Sequence, residues 1–179
     1  MNLYCITDSV TIAERAARNG ATLIQVRAKQ LSARALFDLV TAVLRVSCDA
    51  RVLVNSRLDI ALAARAHGLH LPADSIAPTR LRAIAPPDFL IGVSCHSRDE
   101  LHRAEQEGAD FAAFGPVFPT RSHPSATPLG LAQFASAVRG LRMPVYALGG
   151  ITRQNAASCI TAGAAGIAGI SFFGDPPIY

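Results

Sequence analysis

Apolar runs of four to six residues recur along the chain, and between them lie stretches whose apolar positions repeat at helical spacing. The runs at 3–7, 23–27, 51–55, 68–71, 89–94, 111–114, 145–148 and 166–170 are nearly continuous rather than alternating, which marks strands buried on both faces. The segments at 10–19, 32–47, 58–67, 79–84, 98–107, 131–139 and 153–162 read as amphipathic helices. Ser97, with Glu100 three residues on, has the form of a capping box. Gly20, Gly108 and Gly163 stand just past helix ends, where a residue at positive φ is wanted.

Eight strands alternating with seven helices in one domain of this size point to a closed barrel rather than an open doubly wound sheet. The expected fold is α/β, a single-domain TIM (β/α)8 barrel over residues 1–179. Such barrels usually take about 250 residues, so the loops here must be minimal. The tail "FFGDPPIY" leaves almost nothing for a final helix. Phe172 and Phe173 would then lack cover within the chain, and a homodimer would supply it.

Composition narrows the partners. Half of the chain is apolar, which fits a packed domain and not a disordered one. The formal charge is +4, and no basic run exceeds one residue, so no footprint for nucleic acid is present. A mild positive balance suits an anionic small molecule. Cys5, Cys48, Cys95 and Cys159 show no ligand-like spacing and read as reduced, buried thiols. With no signal peptide and no apolar run of membrane-spanning length, a soluble, cytoplasmic protein without a membrane partner is expected.

In a (β/α)8 barrel, function gathers at the carboxyl ends of the strands. Those ends are polar in this chain: "QVRAK", "VNSR", "LHLPAD", "GVSCHS", "ALGGI" and "GIS". Arg27 and Lys29 are two apart and so face the same way, a pair suited to an anion. Gly149 and Gly150 let the backbone approach a ligand, and the free N–H groups of the helix that follows would favour phosphate. Of the five histidines, His67 and His102 fall on helix faces, His70 at a strand end and His96 after the fifth strand. None has metal-ligand spacing. His123 lies in the proline-rich loop after "FGPVFPT", where an imidazole is free to transfer a proton near neutral pH.

These pieces, in this order, resemble the thiamin phosphate synthase superfamily, which includes the TenI-like thiazole tautomerases. The matching stretches are "YCITD", "IQVRAK", "VNSRLDIAL", "GLHLP", "IGVSCHS", "AEQEGADFAAFGPVFPT", "LGGI" and "AGAAGIAGIS". The resemblance implies a TIM barrel and a thiazole phosphate bound at its carboxyl face. It offers two reactions. Synthases join a hydroxymethylpyrimidine diphosphate to a thiazole phosphate and release diphosphate. Tautomerases aromatise a thiazole carboxylate phosphate by proton transfer, with no cofactor.

The synthase pattern implies Mg²⁺ on the diphosphate, held by carboxylates. Here Ser56 stands where that pattern has Asp after Asn55. Pro72 replaces a Gly, so the second Asp position falls to Asp74 or Ser75. His123 occupies the place of the synthase Lys. These departures, with "HLPADSIAPTRLR", favour the tautomerase branch, although Pro116 stands where that branch can place a catalytic His. The proton carrier is then expected among His123, His70 and Cys95. Arg27, Lys29, Asn55, Ser56, Ser94, Thr120, Ser122, Gly149, Gly150, Ile170 and Ser171 are the expected substrate contacts, and Asp74 would hold Mg²⁺ only in a synthase. A synthase, or a non-catalytic binder of thiamin precursors, is the alternative.

Overall fold

The computed structural model describes residues 1–122 and 124–173. Eight parallel strands close into a barrel in sequence order, β1 Asn2–Thr7, β2 Leu23–Val26, β3 Arg51–Asn55, β4 Gly68–Leu71, β5 Leu90–Cys95, β6 Phe111–Phe114, β7 Val145–Leu148 and β8 Gly166–Gly169. Closure is made by β1 on β8, with Leu3 beside Ile167 and Cys5 beside Gly169. The helices α1 Val10–Arg18, α2 Ala33–Val46, α3 Leu58–Ala63, α4 Pro78–Arg82, α5 Arg98–Gln106, α6 Gly130–Val138 and α7 Ala156–Thr161 lie outside it. Each connection passes from strand to helix and back to the neighbouring strand, so every strand is buried on both faces. That is why the sequence carries unbroken apolar runs.

Two apolar layers result. The outer one fills the space between barrel and helices with Val, Leu, Ile and Ala from both. The inner one is a plug of Tyr4, Leu23, Leu53, Phe111 and Tyr146 inside the barrel. The rings of Tyr4, Phe111 and Tyr146 meet edge to face with centroids 5.5–5.7 Å apart, the favoured aromatic arrangement. This plug is the floor on which the polar residues at the strand ends stand.

Helix starts follow local chemistry. The hydroxyls of Ser9, Ser32 and Ser97 accept the amides of Ile12, Ala35 and Glu100, so α1, α2 and α5 begin where a side chain satisfies a free N–H. Two expected helices are shorter than their periodicity suggested. α3 ends at Ala63 rather than at His67: Arg65 turns to φ 54°, and His67 leaves the helix to accept the Val52 amide on Nδ1 at 2.9 Å. α7 starts at Ala156 rather than Arg153 because Asn155 first holds a turn, accepting from the Thr152 amide and donating to the Gly150 carbonyl.

After β8 a single 3-10 turn, Ser171–Phe173, leads back against α1. Contrary to the sequence reading, Phe173 has cover within the chain. Its ring is buried and meets Phe172 at 5.2 Å, and its carbonyl accepts from Arg15 of α1. The argument that this segment needs a second copy therefore loses its footing. Residues 174–179 lie outside the described residues, as does His123.

Candidate active site

A cavity of about 720 Å³ opens at the carboxyl ends of the strands. It gathers most of the residues expected from sequence: Arg27 and Lys29 after β2, Asn55 and Ser56 at β3, His70 on β4, and Ser94 on β5. Thr120 and Ser122 line it from the loop after β6, Gly149 and Gly150 from the turn after β7, and Ile170 from the end of β8. Asp74 also borders it. Ser171 belongs to the turn just beyond.

Two expected proton carriers are placed against that role. Cys95 is fully buried in the outer layer, facing the helices and not the cavity. Burial and then the nearby Glu100 carboxylate push its thiol up to about 12. A thiol held that firmly protonated is no base near neutral pH. His70 does border the cavity, but both of its ring nitrogens are engaged. Nδ1 meets the Tyr4 hydroxyl and Nε2 the Ser94 hydroxyl, each at 2.9 Å. Burial, reinforced by the Arg27 charge, drops its pKa to about 3, so it stays neutral and cannot act as an imidazolium acid.

The polar floor is a directed chain. Gln25 donates to the Tyr4 oxygen at 2.5 Å. The Tyr4 proton then goes to His70 Nδ1, which leaves Nε2–H donating to Ser94 Oγ. A neutral imidazole has one donor and one acceptor, so this arrangement leaves the Ser94 proton to point into the cavity. Tyr4 is wholly buried and burial raises its pKa far above the usual phenol range, which keeps that proton on oxygen. Gln25 and Tyr4 were not singled out from sequence. The available signal was a glutamine inside the strand "LIQV", costly to bury unless partnered.

The two loops that would hold a phosphate are locked together. The Val117 amide donates to the Leu148 carbonyl at 2.8 Å and the Phe118 amide to the Gly149 carbonyl at 3.1 Å. Gly149 and Gly150 both have positive φ, 95° and 64°. A side chain on Gly150 would overlap the Pro119 carbonyl oxygen. The glycines are therefore required by loop-to-loop packing as well as by ligand approach. The helix after them is short and begins only at Ala156, so its free N–H groups stand back from the turn, contrary to the sequence expectation.

Charge at the mouth is lopsided. Among the described residues neither Arg27 nor Lys29 has a carboxylate within ion-pair distance, whereas Arg18, Arg57 and Arg82 each do. Among the described residues, Asp74 is the one carboxylate on the cavity wall. No cluster of three His, Cys, Asp or Glu side chains able to hold a metal occurs among the described residues. Ser56 sits at φ 60°, a conformation Asp tolerates, so the backbone there would accept the carboxylate that is missing. This donor set does not fit an Mg²⁺ ion held by paired carboxylates.

Fold and site together define a (β/α)8 barrel with an anion-suited mouth at the carboxyl ends of its strands. The comparisons with known proteins narrow it. Residues 3–173 match the family model described as thiamine monophosphate synthase, and the chain belongs to that family. It is 44% identical to the thiamine-phosphate synthase of Chlorobium luteolum, covering 94% of this chain and 83% of that one. It is 41% identical to that of Methanoculleus marisnigri, covering 95% and 86%. The solved thiamine phosphate pyrophosphorylase of Pyrococcus furiosus superposes with a TM-score of 0.86 at 35% identity, over 95% of this chain and 85% of that one.

Proposed function

We propose that this chain couples two small heterocycles in the 720 Å³ cavity, one bearing a diphosphate and the other a monophosphate, and releases diphosphate. The relatives are named thiamine-phosphate synthase and thiamine phosphate pyrophosphorylase, and those names support this reading over the tautomerase expected from sequence. One observation carries it. The cavity has two anion-suited regions on opposite sides, since β2 and β6 are diametrically placed in a ring of eight. Arg27 and Lys29 follow the first, and Thr120 and Ser122 follow the second, with Gly149 and Gly150 beside them.

Each residue then has a task. Gln25 and Ser94 offer hydrogen bonds to a flat nitrogen heterocycle resting on the aromatic plug, and His70 orients the Ser94 hydroxyl. The C–O bond to the diphosphate breaks as the ring nitrogen of the thiazole supplies the electron pair for the new C–N bond. Arg27 and Lys29 meet the growing charge on the departing diphosphate.

The tautomerase remains the second reading, favoured by Ser56 and by Asp74 being the single carboxylate at the mouth among the described residues. The two are separated by giving purified protein thiazole phosphate with pyrimidine diphosphate in one assay, and the thiazole carboxylate phosphate tautomer alone in another. Coupling predicts stoichiometric diphosphate release in the first. Turnover only in the second establishes the tautomerase, and binding without turnover establishes a non-catalytic protein.

A further inference from the structure

We propose that a second cavity beside the mouth binds a short aliphatic carboxylate, and that this ligand antagonises diphosphate by drawing on the same Lys29. The second site takes no part in the coupling reaction. The antagonism rests on the reading that Arg27 and Lys29 receive diphosphate.

The second cavity measures about 360 Å³ and lies where β2 and β3 meet the start of α2. Val26, Ala28, Leu31 and Leu36 form its apolar walls. Val26 and Leu36 are buried members of the layer between barrel and helices. Such layers are close-packed in folded proteins. A hollow of about 300 Å³ or more, with apolar walls and few polar groups, is the usual form of a small-molecule site. Leu31 stands at its rim with 41% of its surface exposed, so a hydrocarbon tail seated there would cover an apolar side chain that the protein itself leaves in water.

The polar end of this cavity is shared. Lys29, Asn55 and Ser56 line both it and the mouth. The turn between the two is fixed by its backbone: the Ser56 amide donates to the His70 carbonyl at 2.9 Å, and the Arg57 amide to the Asn55 carbonyl at 2.8 Å. Ser56 Oγ accepts from the Asn55 side-chain amide at 3.1 Å, which leaves its own proton to donate to a ligand. Arg57 also borders the cavity, but its Nε and Nη2 donate to the two carboxylate oxygens of Asp59 at 2.9 and 2.6 Å, so its charge is matched. Lys29 has no carboxylate within ion-pair distance among the described residues. One unmatched ammonium and one hydroxyl donor at the end of a hydrocarbon-walled pocket select a single negative charge on a short apolar chain. Lys29 serves one anion fully, so a carboxylate in the second cavity and a diphosphate in the mouth weaken each other by the same factor.

The test uses sodium hexanoate as the probe, with sodium acetate at equal concentration to supply the charge without the tail. Methyl NMR of the full chain follows Val26, Leu31 and Leu36 at the second cavity and Ile6 and Ile151 at the mouth. Calorimetry measures the affinity for inorganic diphosphate with and without each salt. Expected are saturable shifts led by Val26, Leu31 and Leu36, and diphosphate binding weakened roughly 5–10-fold by hexanoate but not by acetate. Leu31→Ser should weaken hexanoate about fivefold or more and leave diphosphate affinity unchanged when hexanoate is absent. The proposal is overturned by the lack of a saturable shift, by shifts led by Ile6 and Ile151, by an equal effect of acetate, or by unchanged diphosphate affinity at saturating hexanoate. If Leu31 and Leu36 respond as expected but diphosphate never binds, the second cavity stands as a carboxylate site, while the antagonism and the reading of Arg27 and Lys29 as a diphosphate site both fall.

Discussion

Gly149 lies so close to Pro116 that a Cβ on the glycine would stand 2.5 Å from the proline Cβ. The contact joins the turn after β7 to the loop after β6, the two segments assigned to the monophosphate. Gly149→Ala forces both a side chain into φ 95° and a clash with a rigid ring. Together these should cost about 2–4 kcal/mol. Thermal unfolding should fall by roughly 6–12 °C in a chain of this size. Gly140, also at positive φ but with open space around it, is the control: Gly140→Ala should cost about 1–2 kcal/mol from backbone strain alone. Equal losses at the two positions would mean that the loop contact contributes nothing.

The Tyr4 hydroxyl joins Gln25 to His70 in a fully buried setting. Tyr4→Phe leaves the Gln25 amide and His70 Nδ1 unpaired, at about 1–3 kcal/mol for each such group. It also frees the imidazole to take the other tautomer, so that Ser94 no longer reliably donates into the cavity. Denaturant midpoints should drop, and KM for the pyrimidine diphosphate should rise more than that for the thiazole phosphate. A variant equally impaired toward both substrates would contradict the directed chain.

His70 gives the fold a pH dependence whose sign can be worked out. Its folded pKa is about 3 against 6.5 for an ordinary histidine. Between those values the unfolded chain binds a proton that the folded one refuses. Stability from this group is therefore fully present above about pH 6.5 and is lost as pH falls toward 3. Chemical denaturation from pH 6.5 to 4.5 should show a slope approaching 1.4 kcal/mol per pH unit from this group. In His70→Gln that part of the slope should vanish. An unchanged slope would show that His70 is protonated in the folded state.

Arg27 has no carboxylate partner among the described residues and borders the cavity. Calorimetry with inorganic diphosphate should show binding by the unaltered protein and a loss of roughly 10–100-fold in Arg27→Ala, the scale of a hydrogen bond to a charged group. Asp110 sits at the other end of the barrel, where it accepts from the Ile91 amide and pairs with Arg82. Asp110→Asn should lower stability while leaving diphosphate affinity alone.

The barrel was legible because local pattern and global fold agree. Each parallel strand must be apolar on both faces, and each helix must present one apolar stripe, so "FAAF" and "VYAL" announce themselves. The mouth was legible because residues two apart on a strand share a face, which placed Arg27 and Lys29 together. Less legible was anything decided by contact between distant segments. Cys95 and Ser94 are neighbours in sequence, yet the pleat sends one to the helices and the other to the cavity. The partners that fix His70 come from β1 and β5. The tie between His96 and Gly115 spans 19 residues and leaves no periodic trace. The helix boundaries at Ala63 and Ala156 leave no periodic signal either, because His67 and Asn155 bond to backbone rather than continue a helix.

The most direct test of the proposed coupling is a time course of diphosphate release from a mixture of thiazole phosphate and hydroxymethylpyrimidine diphosphate. It should be run with the unaltered protein and with Arg27→Ala. Release matched one to one by the coupled product, and slowed at least tenfold in the variant, is the predicted result. No release from the unaltered protein while it binds both substrates would contradict the assignment of this mouth as a coupling site.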